Sequence, residues 1–293
     1  MSAALKPDPL KSLSDSLSAL VANAAPCLVS VHAHRSRASG FIWKPGLVVT
    51  ADEALAEEGD VAITLADGRR TAASIIGRDP SSDIALLRAD TDDGTAVDLG
   101  EATPAAGALA LVAGSAEGRP LAAIGIVAAS GPAWRSMRGG AIDARIELDL
   151  SLRRAAEGGV VLDAHGKAFG MAVFGPRRRV LVIPAATIAR VAATLETHGK
   201  IARGYLGLGL QPVRLDREGG IGAMVMSVDA EGPGAKAGVH QGDVIAAWAG
   251  QPIGSVHALL QALGPDSVGT TVALSLRRGG EMHALEVKIG ERP

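Results

Sequence analysis

The sequence has few of the residues that mark several large classes of protein. Its 293 residues include a single cysteine, Cys27, which excludes an intrachain disulfide framework and a cysteine-rich zinc site. Aromatic residues make up only 2% of the chain, and a formal net charge of -2 excludes a nucleic-acid-binding protein that is basic over its whole surface. No stretch approaches the roughly 20 consecutive apolar residues that a membrane-spanning helix requires.

Small apolar residues and glycine are what the sequence has in quantity. Hydrophobic residues are 47% of the chain, charged residues are 20%, and there are 37 glycines. This balance predicts a folded, turn-rich protein whose core is built from Ala, Val, Leu and Ile. Nothing in the sequence indicates a cofactor.

The N-terminal segment, residues 1–26, is predicted to be an amphipathic helix. Its apolar residues fall at helical spacing: Leu10, Leu13, Leu17, Leu20 and Val21. A secretory signal would need a basic head and an uninterrupted apolar stretch, and this segment has neither. We therefore expect a cytoplasmic protein, or a periplasmic one if an export signal has been removed.

Short apolar runs separated by Gly, Pro and Asp fill the chain from Cys27 to about Val182. They predict about a dozen strands without long helices between them, which favours a β-sandwich or β-barrel. Pro184 then precedes a predicted helix at Ala185–His198, which ends at Gly199.

After Gly204 the pattern changes to strands, a short helix at Ser255–Leu263 and a hairpin that turns at Gly279-Gly280. This change predicts a second domain. We expect three parts: the N-terminal segment 1–26, a β-rich domain 27–198 and a second domain 199–293.

Several blocks, in order along the chain, resemble the HtrA (DegP-like) family of serine proteases. They are Ser39-Gly40-Phe41-Ile42, Leu47-Val48-Val49-Thr50, Leu65-Ala66-Asp67-Gly68-Arg69, Ser82-Asp83-Ile84-Ala85-Leu86, Gly125-Ile126-Val127 and Val182-Ile183-Pro184. The resemblance implies a mainly β protein, in which a trypsin-like double β-barrel is followed by an α+β PDZ domain. Family members are often trimers, so a homo-oligomer is possible.

The resemblance also locates the positions of the catalytic triad. Glu53 stands at the histidine position, Asp83 at the aspartate position, and Glu157, before the paired Gly158-Gly159, at the position of the nucleophilic serine. Acyl transfer of this type needs a hydroxyl nucleophile and an imidazole base. The sequence therefore predicts vestigial triad positions and a catalytically inactive scaffold, not an enzyme. The alternatives are an active HtrA-type serine endopeptidase or chaperone in protein quality control, and a metal-binding structural protein.

Three carboxylates converging at one place have several possible states. Glu53 and Glu157 can turn to solvent, with Arg153 or Arg154 neutralising them. The set Glu53, Asp83 and Glu157 can instead hold a hard divalent cation, or serve as an acid–base pair of a hydrolase.

The C-terminal region carries the most specific motif. Gly234-Ala235-Lys236-Ala237-Gly238-Val239 and the following Gln241-Gly242-Asp243-Val244-Ile245 closely resemble the heart of a bacterial PDZ domain. By that resemblance, the loop Tyr205, Leu206, Gly207 and Leu208 receives the terminal carboxylate of a peptide, and Val256 and Leu260 edge the peptide groove. The alternative for this loop is an ordinary alternating strand. The expected partners are peptide or protein C-termini.

Overall fold

The computed structural model describes residues 8–33, 36–55, 59–92, 94–100, 102–215 and 220–292. The chain forms two compact units. The first comprises Met1–Ser136 and Ala141–Lys200, and the second comprises Met137–Gly140 and Ile201–Pro293.

The described residues form helices and strands that we number in chain order. The helices are α1 (Pro9–Ala24), α2 (Ala185–His198), α3 (Pro233–Lys236) and α4 (Val256–Ala262). The strands of the first unit are β1 (Leu28–Ala33), β2 (Ser36–Lys44), β3 (Leu47–Thr50), β4 (Val61–Thr64), β5 (Arg70–Asp79), β6 (Ile84–Ala89), β7 (Leu109–Ala116), β8 (Arg119–Gly131), β9 (Trp134–Arg135), β10 (Ala141–Ile142), β11 (Arg145–Asp149), β12 (Val160–Leu162), β13 (Ala168–Phe174) and β14 (Val180–Pro184). Those of the second unit are β15 (Gly204–Tyr205), β16 (Leu208–Arg214), β17 (Ile221–Val228), β18 (Val244–Trp248), β19 (Gln251–Pro252), β20 (Thr271–Arg278), β21 (Glu281–Lys288) and β22 (Gly290–Glu291).

The first unit contains two closed barrels. One has the strand order β1-β2-β3-β6-β5-β4, and the other has the order β11-β14-β13-β12-β7-β8. Apolar side chains fill each barrel, with Phe41, Ile63 and Leu86 fully buried in the first and Val112 and Val161 in the second. The mainly β, double-barrel fold predicted from the sequence is thereby confirmed.

The two predicted helices of the first unit are present. α2 spans Ala185–His198 as predicted and ends where Gly199 adopts a left-handed conformation. α1 begins after Asp8, whose side chain accepts a hydrogen bond from the backbone N–H of Leu10. The N-terminal half of its apolar face is exposed at Leu10 and Leu13. Residues 1–7 of the predicted N-terminal segment lie outside the described residues.

The second unit is a twisted antiparallel sheet with two short helices. Its strand order is β16-β17-β18-β20-β21, with β19 paired to β18. The inward faces of these strands pack against α4 in a core that includes Val225, Ile245, Leu259 and Leu274. Ser255 caps α4 by accepting a hydrogen bond from Ala258 N–H at 3.0 Å, so the predicted short helix is confirmed.

Among the residues that the structure describes, no helix has the length and apolar character needed to span a membrane.

Candidate functional site

Glu53 and Asp83 are held together by the turn that follows β3. The backbone N–H of Glu53 donates to Oδ1 of Asp83 at 2.8 Å, and the N–H of Asp52 donates to the Asp83 carbonyl at 3.3 Å. Asp83 itself has a φ of 58°, a left-handed conformation that is uncommon outside glycine. The turn therefore fixes the Asp83 carboxyl against the backbone of Glu53, while the Glu53 side chain is exposed.

Arg78 supports this turn from β5. Its guanidinium forms an ion pair with the carboxylate of Asp52 and donates a second hydrogen bond, of 3.1 Å, to the Asp52 carbonyl. Asp52 is only 3% exposed, so the ion pair compensates a charge that would otherwise be buried alone. Arg78 thus positions the backbone that carries Glu53.

Glu157 lies on the tight turn that precedes β12. Residues Arg154–Ala156 form one turn of 3₁₀ helix, in which the Glu157 N–H donates to the Arg154 carbonyl at 3.1 Å. The Glu157 carbonyl accepts from Ser39 N–H at 2.8 Å, and Ser39 Oγ donates to the Ala155 carbonyl at 2.6 Å. In this conformation the Glu157 N–H is already occupied and is not available to a developing oxyanion.

Gly158 brings the Glu157 turn against the end of β3. Its φ is +80°, and a Cβ atom at this position would lie 2.2 Å from the Ser39 carbonyl oxygen and 3.0 Å from both Ala51 N and Thr50 Oγ1. Only glycine allows so close an approach. The three sequence-predicted positions, Glu53, Asp83 and Glu157, are therefore brought to one region of the double barrel.

The electrostatics of this region favour protonated carboxyls. Burial raises the pKa of Asp83 to about 7, and the neighbouring carboxylates of Glu53, Glu157 and Asp52 act in the same direction, against the hydrogen bond from Glu53 N–H. Burial also raises the pKa of Glu157, with a smaller contribution from Glu53. At neutral pH Asp83 can both hold and release a proton, which is the property that general acid–base chemistry requires.

The alternatives for these carboxylates can now be compared with the structure. Glu53 turns to solvent as expected, but Glu157 does not, because it is only 6% exposed and accepts a long hydrogen bond of 3.4 Å from Phe174 N–H. Arg154, one of the two expected counter-ions, lowers the pKa of Glu157, as does Arg178. Within the described residues no group of three His, Cys, Asp or Glu side chains is arranged to hold a metal ion.

In the second unit, Leu206 and Gly207 form a turn between β15 and β16 whose two carbonyls accept hydrogen bonds. The Leu206 carbonyl accepts from Gly234 N–H at 2.7 Å, and the Gly207 carbonyl accepts from Asp229 N–H at 2.8 Å. The N–H groups of Leu206 and Gly207 have no acceptor in the part of the chain that the structure describes. Gly207 has a φ of +70°, which gives this loop its sharp change of direction.

An open edge and an apolar helix face adjoin this loop. In the described part of the chain, β16 pairs only with β17, so its outer edge is free to accept another strand. Next to it, α4 buries Leu259 in the core, leaves Val256 half-buried and exposes 54% of Leu260. Both predicted groove residues thus lie on the side of α4 that the core does not fully cover.

Comparisons with known proteins agree with both units. Residues 38–171 match the model of the trypsin-like peptidase domain, and residues 204–289 match the model of the PDZ domain. The chain belongs to the HtrA family. A relative from Bartonella henselae, named a probable periplasmic DegP-like serine endoprotease, is 31% identical over 273 residues, covering 86% of this chain and 52% of the relative.

Solved structures of the family share the fold over nearly the whole chain. The serine endoprotease from Yersinia pestis has a TM-score of 0.72 and 25% identity, covering 94% of this chain and 98% of that one. The HtrA-type protease AlgW, solved with a tripeptide, has a TM-score of 0.68 and 25% identity, covering 94% and 97%. The chain spans about half the length of the curated relatives it matches.

Two sequence-based predictions need correction. The prediction that the chain is not an enzyme is wrong, because its relatives are named serine endoproteases and HtrA protease structures share its fold, which points to a protease. The substitutions at Glu53 and Glu157 did not establish inactivity, since the carboxyls of Asp83 and Glu157, whose pKa values burial raises, can themselves transfer protons. The prediction of a cytoplasmic protein has no support either, because the same relatives are named periplasmic.

The sequence reasoning missed three residues that shape these sites. No sequence pattern assigned Arg78 to the site, although its ion pair with Asp52 holds the Glu53 turn. Ser39 appeared only within the block Ser39-Gly40-Phe41-Ile42, and Asp229 beside Gly207 carried no local signal. All three act through contacts between distant parts of the chain, so the spacing of residues could not have revealed them.

Proposed function

We propose that this HtrA-family chain captures the C-termini of polypeptides through its PDZ domain, as the recognition part of a periplasmic endopeptidase in protein quality control. One observation carries the proposal: the N–H groups of Leu206 and Gly207 have no acceptor in the described part of the chain. Unpaired N–H groups at a left-handed turn suit a carboxylate, which accepts two such bonds. AlgW, similar in fold, was solved with a tripeptide.

The groove beside the loop fits the rest of a bound peptide. A strand added to the edge of β16 would bond through its backbone and alternate its side chains. Its last residue would then lie near Leu260 and Val256, which offer an apolar surface. This arrangement favours peptides that end in an apolar residue.

Peptide binding is tested by fluorescence anisotropy on the full chain. A labelled peptide ending in Val or Leu should bind with micromolar affinity, and amidation of its terminus should weaken binding by roughly tenfold or more. Gly207→Ala should also weaken binding, because a Cβ would lie 3.0 Å from Gly232 Cα. Gly238→Ala is the matched control, since its φ is also positive but its Cβ meets nothing within 4 Å. Equal binding of free and amidated peptides would overturn carboxylate capture.

Endoproteolysis, the activity named for the relatives, is the second part of the proposal. Its support in this chain is the pair Asp83 and Glu157, whose raised pKa values allow one carboxyl to stay protonated while the other is ionised. A carboxylate can take a proton from an attacking water, and a carboxylic acid can protonate the leaving amine. Hydrolysis at this place has to use carboxyl chemistry, because the histidine and serine positions hold Glu53 and Glu157.

Casein digestion between pH 4 and pH 8, combined with a fluorophosphonate probe, tests this second part. We expect hydrolysis that is lost in Asp83→Asn and in Glu157→Gln, without labelling of any serine. Labelling of a serine would exclude the carboxyl mechanism and assign a serine endopeptidase instead. Absence of hydrolysis by the folded wild-type chain across this pH range would overturn the peptidase proposal and leave C-terminus capture to be judged by its own assay.

A further inference from the structure

Asp229 lies directly against the loop that we propose receives a peptide carboxylate. It follows the last residue of β17, and its N–H donates to the Gly207 carbonyl at 2.8 Å. A Cβ added to Gly207 would lie 3.1 Å from the Asp229 Cβ, so this side chain starts within contact distance of the loop backbone. Asp229 is exposed, so a ligand at the loop can reach its side chain.

Two hydrogen bonds fix the Asp229 carboxylate in place. Tyr205 donates its hydroxyl to Oδ2 at 3.0 Å, and the Glu231 N–H donates to Oδ1 at 3.2 Å. The hydrogen bond to Asp229 is also the main reason that the pKa of Tyr205 is raised, which keeps this hydroxyl a donor. The negative charge thus has a defined position beside the N–H groups of Leu206 and Gly207.

We propose that Asp229 makes the peptide-binding loop selective for ligands with a basic residue next to their C-terminal residue, and that it disfavours an acidic one there. The inference rests on the proposed capture of C-termini. A carboxylate bound at Leu206 and Gly207 has the same charge as Asp229, and the two lie well within the roughly 8–10 Å over which charges interact at physiological salt. A Lys or Arg in the ligand compensates both charges.

The geometry indicates which ligand residue meets Asp229. In a strand added to β16, alternate side chains point to opposite faces. The last side chain lies on the α4 side, beside Leu260, so the penultimate one lies on the opposite face. Val228, the last residue of β17, packs against the core that includes Leu259 of α4, so the next residue, Asp229, points to the opposite face. Asp229 therefore interacts electrostatically with the penultimate residue of the ligand.

Anisotropy titrations with three peptides test the proposal. The peptides are identical except for Lys, Ala or Glu at the penultimate position, and each is also made with an amidated terminus. We expect the wild-type full chain to bind the Lys peptide about three- to fivefold more tightly than the Glu peptide, the range of an exposed charge pair, and to lose most of this ratio in high salt. Asp229→Asn removes the charge, while its amide oxygen can still accept one of the two hydrogen bonds, and it should reduce the ratio toward one.

Three further measurements distinguish a failure of the proposed role of Asp229 from a failure of C-terminus capture. Asp266→Asn removes an exposed charge elsewhere in the same unit and should leave the Lys/Glu ratio unchanged. Tyr205→Phe removes only the hydroxyl that fixes Asp229 and should lower the ratio part of the way. An unchanged ratio in Asp229→Asn, with amidation still weakening binding, would overturn the role of Asp229 alone. If amidation had no effect in the wild type, the capture of C-termini itself would fail.

Discussion

The backbone N–H of Glu53 donates a hydrogen bond of 2.8 Å to the side chain of Asp83. Such a bond favours the ionised carboxyl, yet burial and three neighbouring carboxylates outweigh it and raise the pKa of Asp83 to about 7. The same aspartate is thus held in place by its backbone contact and kept largely protonated below neutral pH by its surroundings. This conflict has a measurable consequence for stability.

Asp83→Asn is expected to stabilise the first unit at alkaline pH. Because the folded state holds the Asp83 proton more tightly than the unfolded state, the wild-type chain loses stability as the pH rises from about 4 through 7. Asparagine is neutral throughout and can still accept the Glu53 N–H. Urea denaturation measures the free energy of unfolding of the variant minus that of wild type. This difference should be larger at pH 8 than at pH 5 by at least about 1 kcal/mol.

Asp60→Asn serves as the control for this change, because Asp60 is exposed and the substitution has the same chemistry. Asp60→Asn should change the free energy of unfolding by the same small amount at pH 5 and at pH 8. A gain for Asp83→Asn that is equal at pH 5 and pH 8 would contradict a raised pKa for this group.

Gly158→Ala is expected to destabilise the chain by about 2–4 kcal/mol. Alanine is strained at this positive φ, and its methyl group would overlap the Ser39 carbonyl oxygen. Gly68→Ala is the matched control, with a φ of +86° and open space around it, and should cost only about 1 kcal/mol. Thermal unfolding of both variants measures the difference. Equal losses would show that the Glu157 turn does not need this close contact.

Arg278→Met is expected to destabilise the second unit by about 2–3 kcal/mol at neutral pH. Arg278 donates two hydrogen bonds, of 2.8 and 2.7 Å, to Asp243, which is only 1% exposed, and these bonds are the main reason that the pKa of Asp243 is lowered. The loss should shrink below about pH 4, where Asp243 takes up a proton in the unfolded chain. Lys288→Met, at an exposed position of β21, should be nearly neutral, and a comparable loss there would refute the role of the ion pair.

Local sequence signals predicted the elements and the domain types well. Helix α2 was expected at Ala185–His198 and is found there, because an N-terminal proline and a C-terminal glycine are signals that act within the helix itself. The PDZ motif near Gly234–Val239 likewise lies within one short segment, in which turn geometry and core packing depend on neighbouring residues.

The site was harder to predict because its determinants are distant in the chain. Turning to solvent was one of the states that the sequence left open for Glu157, but Ser39 and Gly158 hold its turn against the end of β3, and the side chain is buried as a result. The position of Asp52 depends in the same way on Arg78, 26 residues away. A pattern of residue types carries no information about such pairings until the barrel has closed.

Leu260 and Leu259 are adjacent on α4 but are expected to respond to substitution in opposite ways. Leu260 is 54% exposed beside the edge of β16, so Leu260→Ser should weaken binding of a peptide with an apolar C-terminus by roughly fivefold and change stability little. Leu259 is 2% exposed in the core, so Leu259→Ala should cost about 2–5 kcal/mol of stability. Anisotropy and thermal unfolding of both variants distinguish the two roles. If Leu260→Ser binds the peptide as tightly as wild type does, the groove does not run along α4, because the largest exposed apolar side chain of that helix would then contribute nothing to the ligand.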